Sequence, residues 1–229
     1  MQNLKQKIKE IKRGIVAIGF NPSPDKLTIL GSGFISDNKI ITCAHLFNNL
    51  TEEQTKQLKA NVLIEELGND LERYQWLPIK EFKKEVKNDL AVFEFSETVP
   101  ANITNLTLAD SDKQEAGEDI YFIGFPYAAQ LINDGFGITL VVNKGIISNI
   151  KRDGTDPARK RNWFIIDGIS NPGNSGCPVI NLETNEVIGV MSISFRTASQ
   201  VVKELDIREP MHIAGAKPIN LAKELLQNK

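Results

Sequence analysis

From Gly14 to about Ile193 the chain runs through short β-branched and aromatic stretches: Ile15–Phe20, Leu27–Ile35, Lys39–Cys43, Asn61–Glu65, Trp76–Phe82, Leu90–Phe95, Asp119–Gly124, Ile138–Ile150, Trp163–Ile166, Val179–Leu182 and Val187–Ile193. Turn formers such as Asp37-Asn38, Gly68-Asn69, Asn133-Asp134-Gly135 and Asp153-Gly154 fall between them. Short runs punctuated this way predict an all-β sandwich or barrel rather than alternating strand and helix units. The period changes at both ends. Leu4, Ile8 and Ile11 recur at helical spacing among Lys5, Lys7, Lys9 and Lys12, with Gly14 placed to stop the helix; a packed helix with a solvated basic face is expected. Pro218 to Lys229 puts Leu221, Ala222, Leu225 and Leu226 on one helical face, and Asn220 just before them is placed to cap it. Thr51 to Lys59 reads as a helical interruption. With no internal repeat, low-complexity tract or linker, all 229 residues are expected to form one domain.

Charge and composition narrow the partners. Lys and Arg number 27 against 29 Asp and Glu, so the strong positive field of a dedicated nucleic-acid binder is missing and nucleic acid is not an expected partner. No apolar run approaches the roughly 20 residues of a membrane span, and Met1 to Arg13 lacks the apolar core of a secretory signal, so a cytosolic protein is expected, with an exported mature form as the alternative. The two cysteines, Cys43 and Cys177, are too few for a disulfide framework and are not spaced as a zinc knuckle. They are expected as buried free thiols, and no metal or organic cofactor is expected.

Three segments carry candidate chemistry. His45, one of two histidines, ends the apolar run Ile40-Ile41-Thr42-Cys43-Ala44-His45; an imidazole there suits proton transfer, or is a structural group at a strand end. Asp89 opens the apolar run Leu90-Ala91-Val92-Phe93, where an unpaired carboxylate would be costly. Its partner is an arginine, backbone amides, or the Nδ1–H of His45. The third is Asn171-Pro172-Gly173-Asn174-Ser175-Gly176-Cys177-Pro178. Flanking glycines expose Ser175 on a tight turn and set amide N–H groups beside its hydroxyl, as an oxyanion requires.

The order His, Asp, Ser, with Ile188-Gly189-Val190 and the closing Ala214-Gly215-Ala216-Lys217-Pro218-Ile219-Asn220, resembles chymotrypsin-like serine proteases of the HtrA-like (Deg) branch over nearly the whole chain from Arg13. The resemblance implies a chymotrypsin-like double β-barrel with short N- and C-terminal helices: a helix over 1–13, barrels over about 14–110 and 111–217, and a helix over 218–229. It implies a serine endopeptidase in which Ser175 attacks a peptide carbonyl, His45 is the general base, Asp89 orients it, and the oxyanion hole is built from Gly173, Asn174 and Ser175. A protein or peptide substrate would pair along Met191-Ser192-Ile193-Ser194, with Ile169 at the base of the pocket for the residue before the cut, favouring small or medium aliphatic side chains.

Asn174 stands where zymogen-activated members carry aspartate, so Arg13-Gly14-Ile15-Val16 is expected as an ordinary first strand. Control would fall to ordering of the loops Pro126–Gly137, Lys151–Asn162 and Phe195–His212 or to a regulatory protein partner, and a homo-oligomer is compatible with the resemblance. A PDZ-less member is expected. The competing expectation is a catalytically silent protease-fold module that binds peptides or a partner protein.

Overall fold

A computed structural model describes residues 3–23, 26–68, 70–198 and 208–227. The alternating runs become strands β1 Ile15–Ser23, β2 Lys26–Ser36, β3 Lys39–Thr42, β4 Lys59–Gly68, β5 Leu71–Glu85 and β6 Leu90–Phe95, then β7 Asp119–Gly124, β8 Val141–Arg152, β9 Arg161–Asp167, β10 Pro178–Asn181, β11 Val187–Ala198 and β12 Arg208–Pro218. Local chemistry sets the registers. Asp37 and Asn38 both hold positive φ, 50° and 56°, as the tight hairpin that joins Ser36 to Lys39 requires. The strands close into two antiparallel barrels, β1-β2-β3-β6-β5-β4 and β7-β8-β9-β12-β11-β10.

Period-two alternation then divides the apolar side chains between two destinations. Val16, Ile18, Ile35, Ile40, Val62 and Phe93 fill the first barrel, while Ile120, Phe122, Ile147, Phe164, Val179 and Ile188 fill the second. The opposite faces of the same strands supply Ile15, Ala17, Phe34 and Ile41 to a third cluster, where they meet Tyr121, Ile123 and Val190 from the second barrel. Strands such as Ile15-Val16-Ala17-Ile18 therefore read as continuously apolar because both faces are covered.

Helix α1, Leu4–Ile11, starts at an Asn3–Gln6 capping box and buries Ile11 in the third cluster. Its basic face is not simply solvated as expected: Lys7 is buried and donates to the Glu183 carbonyl at 2.7 Å, and Lys12 pairs with Glu66 and Glu72. The interruption after β3 is helix α2, Glu52–Lys56, and Lys59 already belongs to β4. The loop Pro126–Gly137 contains helix α3, Ala128–Asn133, which the sequence pattern did not mark. Helix α4, Ile219–Gln227, lies where expected, but Asn220 sits within it and does not cap it. Its side chain instead accepts from Ser111 N–H and donates to Asp110 and Asp112, tying α4 to the turn before β7. Strand β12 lacked a β-branched run because Ala214, Gly215 and Ala216 leave room for neighbours; a Cβ on Gly215 would press on Ile193 and Trp163.

Candidate active site

His45 lies in a single 3-10 turn, Ala44–Phe47, directly after β3. Asp89 ends the β5–β6 turn with φ 55°, a left-handed conformation that aspartate tolerates better than most residues. That backbone aims both carboxylate oxygens at His45: Oδ1 accepts the His45 backbone N–H at 2.8 Å, and Oδ2 lies 2.8 Å from Nδ1. The carboxylate thereby fixes the ring and favours a proton on Nδ1, leaving Nε2 as the acceptor. Of the three partners the sequence left open for Asp89, the imidazole and the backbone amide are the ones found.

Sequence reasoning placed Ser192 only on the substrate edge. Its hydroxyl donates to Asp89 Oδ2 at 2.5 Å, so it also helps to hold the Asp89 carboxylate. Burial pushes the Asp89 carboxyl up, but the hydrogen bonds from His45 and Ser192 outweigh this and leave it below the ordinary carboxylate range.

Ser175 is held by two successive turns that share Asn174. Asn174 N–H closes on Asn171 C=O at 2.9 Å, and Cys177 N–H closes on Asn174 C=O at 3.0 Å. Gly173 and Gly176 occupy the third positions with φ 100° and 87°, the conformation for which type II turns select glycine. The Pro172 carbonyl accepts Tyr127 N–H at 2.8 Å, so the N–H of that peptide, on Gly173, points the opposite way. Among the described residues, the N–H groups of Gly173 and Ser175 have no acceptor. Asn174 cannot join them as expected, because its N–H is committed to closing the first turn. Its side chain is buried, and neither amide atom has a protein partner among the described residues.

A buried serine of the first barrel ties these turns down. Ser32 Oγ donates to the Gly173 carbonyl at 2.6 Å and accepts from Phe125 N–H at 2.9 Å, while Ser32 N–H donates to the Ser175 carbonyl at 2.9 Å. The Met191 carbonyl accepts both Gly176 N–H at 2.7 Å and the Cys43 thiol at 3.1 Å, so the chain beside Ser175 and the chain beside His45 meet at one oxygen. Among the described residues no hydrogen bond joins Ser175 Oγ to the imidazole.

On the expected substrate edge, Met191 is excluded: its N–H bonds the Cys177 carbonyl and its C=O is occupied as above. Pairing of β11 with β10 ends at Val190, while pairing with β12 continues, so the backbone from Ser192 onward has one free edge among the described residues. Ile193 is exposed there. Ile169 is half-buried in a cleft of about 370 Å³ that Asn143, Lys144, Asp167 and His212 also line, a more polar setting than expected. Cys43 and Cys177 are buried and free, as the sequence suggested; burial, and for Cys43 the nearby Asp89 charge, pushes both thiols up. Of the three expected control loops, Phe195–His212 lies partly outside the described residues. In Lys151–Asn162 the charges are largely tied: Arg161 donates to the Ser111 carbonyl at 2.9 Å and to that of Gln114, and Lys160 pairs with Glu224.

Residues 31–190 match the description of a trypsin-like peptidase domain. The chain belongs to the trypsin-like peptidase family. Among relatives of this trypsin-like chain, the periplasmic serine endoprotease DegP of Salmonella typhimurium is 28% identical over 194 residues, covering 79% of this chain and 35% of the relative. A probable periplasmic DegP-like serine endoprotease of Halomonas elongata is 34% identical over 193 residues, covering 81% of this chain and 33% of its own length. The trypsin-like chain thus spans about a third of the curated relatives it matches. A solved HtrA-type protease, AlgW with a decapeptide, superposes with a TM-score of 0.69 over 99% of this chain and 67% of that one; at 20% identity the likeness concerns the fold. These relatives are periplasmic by name, so the expectation of a cytosolic protein finds no support. No helix among the described residues is long and apolar enough to cross a membrane.

Proposed function

We propose that the protein is a serine endopeptidase whose acyl-enzyme chemistry runs through Ser175, His45 and Asp89. The observation that carries the reading is the bifurcated grip of the Asp89 carboxylate on His45, through the backbone N–H and through Nδ1, both at 2.8 Å. It leaves Nε2 able to accept the Ser175 proton, and the imidazolium formed is stabilised by the carboxylate behind it. The unpaired N–H groups of Gly173 and Ser175 would receive the oxyanion, a contribution of about 3–4 kcal/mol for a single donor elsewhere. Contacts between base and nucleophile are often looser without substrate and tighten in the Michaelis complex. An extended peptide would pair along the free edge from Ser192 to Ser194, with Ile169 favouring small or medium aliphatic side chains before the cut.

A fluorophosphonate probe tests the chemistry, applied alone and with candidate partner proteins. Labelling that disappears in Ser175→Ala is expected. Labelling only with a partner present would make the enzyme regulated, and none under any condition would favour a silent peptide-binding module. Cleavage of a peptide library predominantly after Lys or Arg would overturn the assigned preference.

A further inference from the structure

The triad acid and base have a third neighbour that the proposed chemistry does not use. Cys43, two residues before His45, is fully buried and free. One ligand atom from each of Cys43, His45 and Asp89 lies within 4.8 Å of the other two. Thiolate sulfur, imidazole nitrogen and carboxylate oxygen are the three donor types that zinc takes, with bonds near 2.3, 2.0–2.1 and 2.0–2.2 Å. Tetrahedral geometry with those bonds sets sulfur and nitrogen about 3.6 Å apart, and nitrogen and oxygen about 3.3 Å apart. The His45 Nδ1 to Asp89 Oδ2 separation is 2.8 Å, so a zinc ion needs that pair to open by about 0.5 Å, and the sulfur, which lies within 4.8 Å of both, to settle at its own bonding distance. Ser192 Oγ, at 2.5 Å from the same carboxylate oxygen, or a water is placed to supply a fourth ligand. The His45 side chain is 40% exposed and that of Asp89 20%, while Cys43 is fully buried, so the cluster sits at the boundary between solvent and core.

We propose that Cys43, His45 and Asp89 form an inhibitory site for Zn²⁺ or a similarly thiophilic divalent cation. The inhibition rests on the reading of His45 as the general base. On binding, the cation bonds to Cys43 Sγ, His45 Nδ1 and an Asp89 oxygen. The thiol proton leaves to solvent, and the imidazole proton moves from Nδ1 to Nε2, so the ring stays neutral. One thiolate and one carboxylate then balance the two charges of the ion, which a partly buried crevice requires. A protonated Nε2 cannot accept the Ser175 proton, and attack stops without loss of any residue from the site. No redox step is involved, and a chelator reverses the state.

Two measurements test the site, made on the wild type, Cys43→Ala and Cys177→Ala, with Cys43→Ser as the fallback should the alanine variant fold poorly. The first is peptidase inhibition by micromolar zinc chloride, followed by chelator. The second is ultraviolet absorption during cadmium titration, which reads cadmium–thiolate charge transfer and needs no turnover. Zinc is expected to inhibit the wild type and Cys177→Ala reversibly. Cys43→Ala, with each protein read against its own zinc-free activity, should need at least roughly tenfold more zinc for half-inhibition, since it loses one of three protein ligands. The cadmium band should appear in the wild type and Cys177→Ala and be absent from Cys43→Ala. Equal zinc sensitivity of wild type and Cys43→Ala, or a band that survives the loss of Cys43, would overturn the proposal. A Cys43-dependent band in protein without peptidase activity would support the metal site while striking the reading of His45 as base.

Discussion

Ser192 illustrates how much a single hydroxyl can carry. It donates to the same Asp89 oxygen that faces His45 Nδ1, and a hydrogen bond to a charged group is worth about 1.5–3 kcal/mol. Ser192→Ala is expected to lower kcat roughly tenfold with KM little changed, and to raise the Asp89 pKa so that activity falls off at higher pH on the acid side. A pH profile of kcat/KM checks both. Asp89→Asn keeps a residue that accepts positive φ, so the fold should persist while the imidazole tautomer is no longer set; kcat is expected to drop about 10⁴-fold in steady-state assays. Ser32 acts one layer further back. Its hydroxyl holds the Gly173 carbonyl, and Ser32→Ala should weaken affinity for a peptide boronate, which uses the oxyanion hole, more than affinity for a non-covalent product peptide.

Among elements, the turn that carries Ser175 has the least tolerance. At Gly176 a Cβ would overlap the Ser32 carbonyl and the Thr42 hydroxyl, and φ 87° is strained for any L side chain. Gly176→Ala therefore moves backbone of the first barrel as well as its own turn, and a fall in Tm together with loss of fluorophosphonate labelling is expected from thermal melts and labelling on the same sample. Helix α4 works differently: it contributes Ile219, Leu221 and Ala222 to the cluster between the barrels. Ile219→Ala there should cost about 2–5 kcal/mol, measurable by denaturant titration.

At the scale of the molecule, the site exists only where two closed barrels meet. His45 and Asp89 follow strands of the first, whereas Ser175 and Ser192 belong to the second. Stability should therefore carry the signature of the acid at the junction. Because the folded state holds Asp89 below its unfolded pKa, that contribution is complete above the unfolded value and disappears as pH falls through the folded one. Thermal melts from pH 6 down to about pH 2 should show the wild type losing Tm more steeply below about pH 4 than Asp89→Asn, whose side chain does not titrate.

Local chemistry made much of this legible in advance. Alternating apolar runs marked eleven of the twelve strands, the Asp37-Asn38 pair marked its hairpin, and the glycines flanking Ser175 marked the turn, because each depends on nearest neighbours along the chain. Strand β12 escaped because its Gly215 answers to the close approach of Ile193 and Trp163 rather than to strand propensity. Hydrogen-bond partners far apart in the chain escaped for the same kind of reason. Ser192 to Asp89 and Ser32 to Gly173 are separated by 103 and 141 residues. The exclusion of Met191 and Asn174 from the roles expected of them likewise depends on which backbone groups are already occupied. Residue types and their spacing announce a candidate nucleophile, base and acid; which oxygen each N–H finally meets depends on how the barrels close and pack, because a buried polar group takes the partner that folding brings to it.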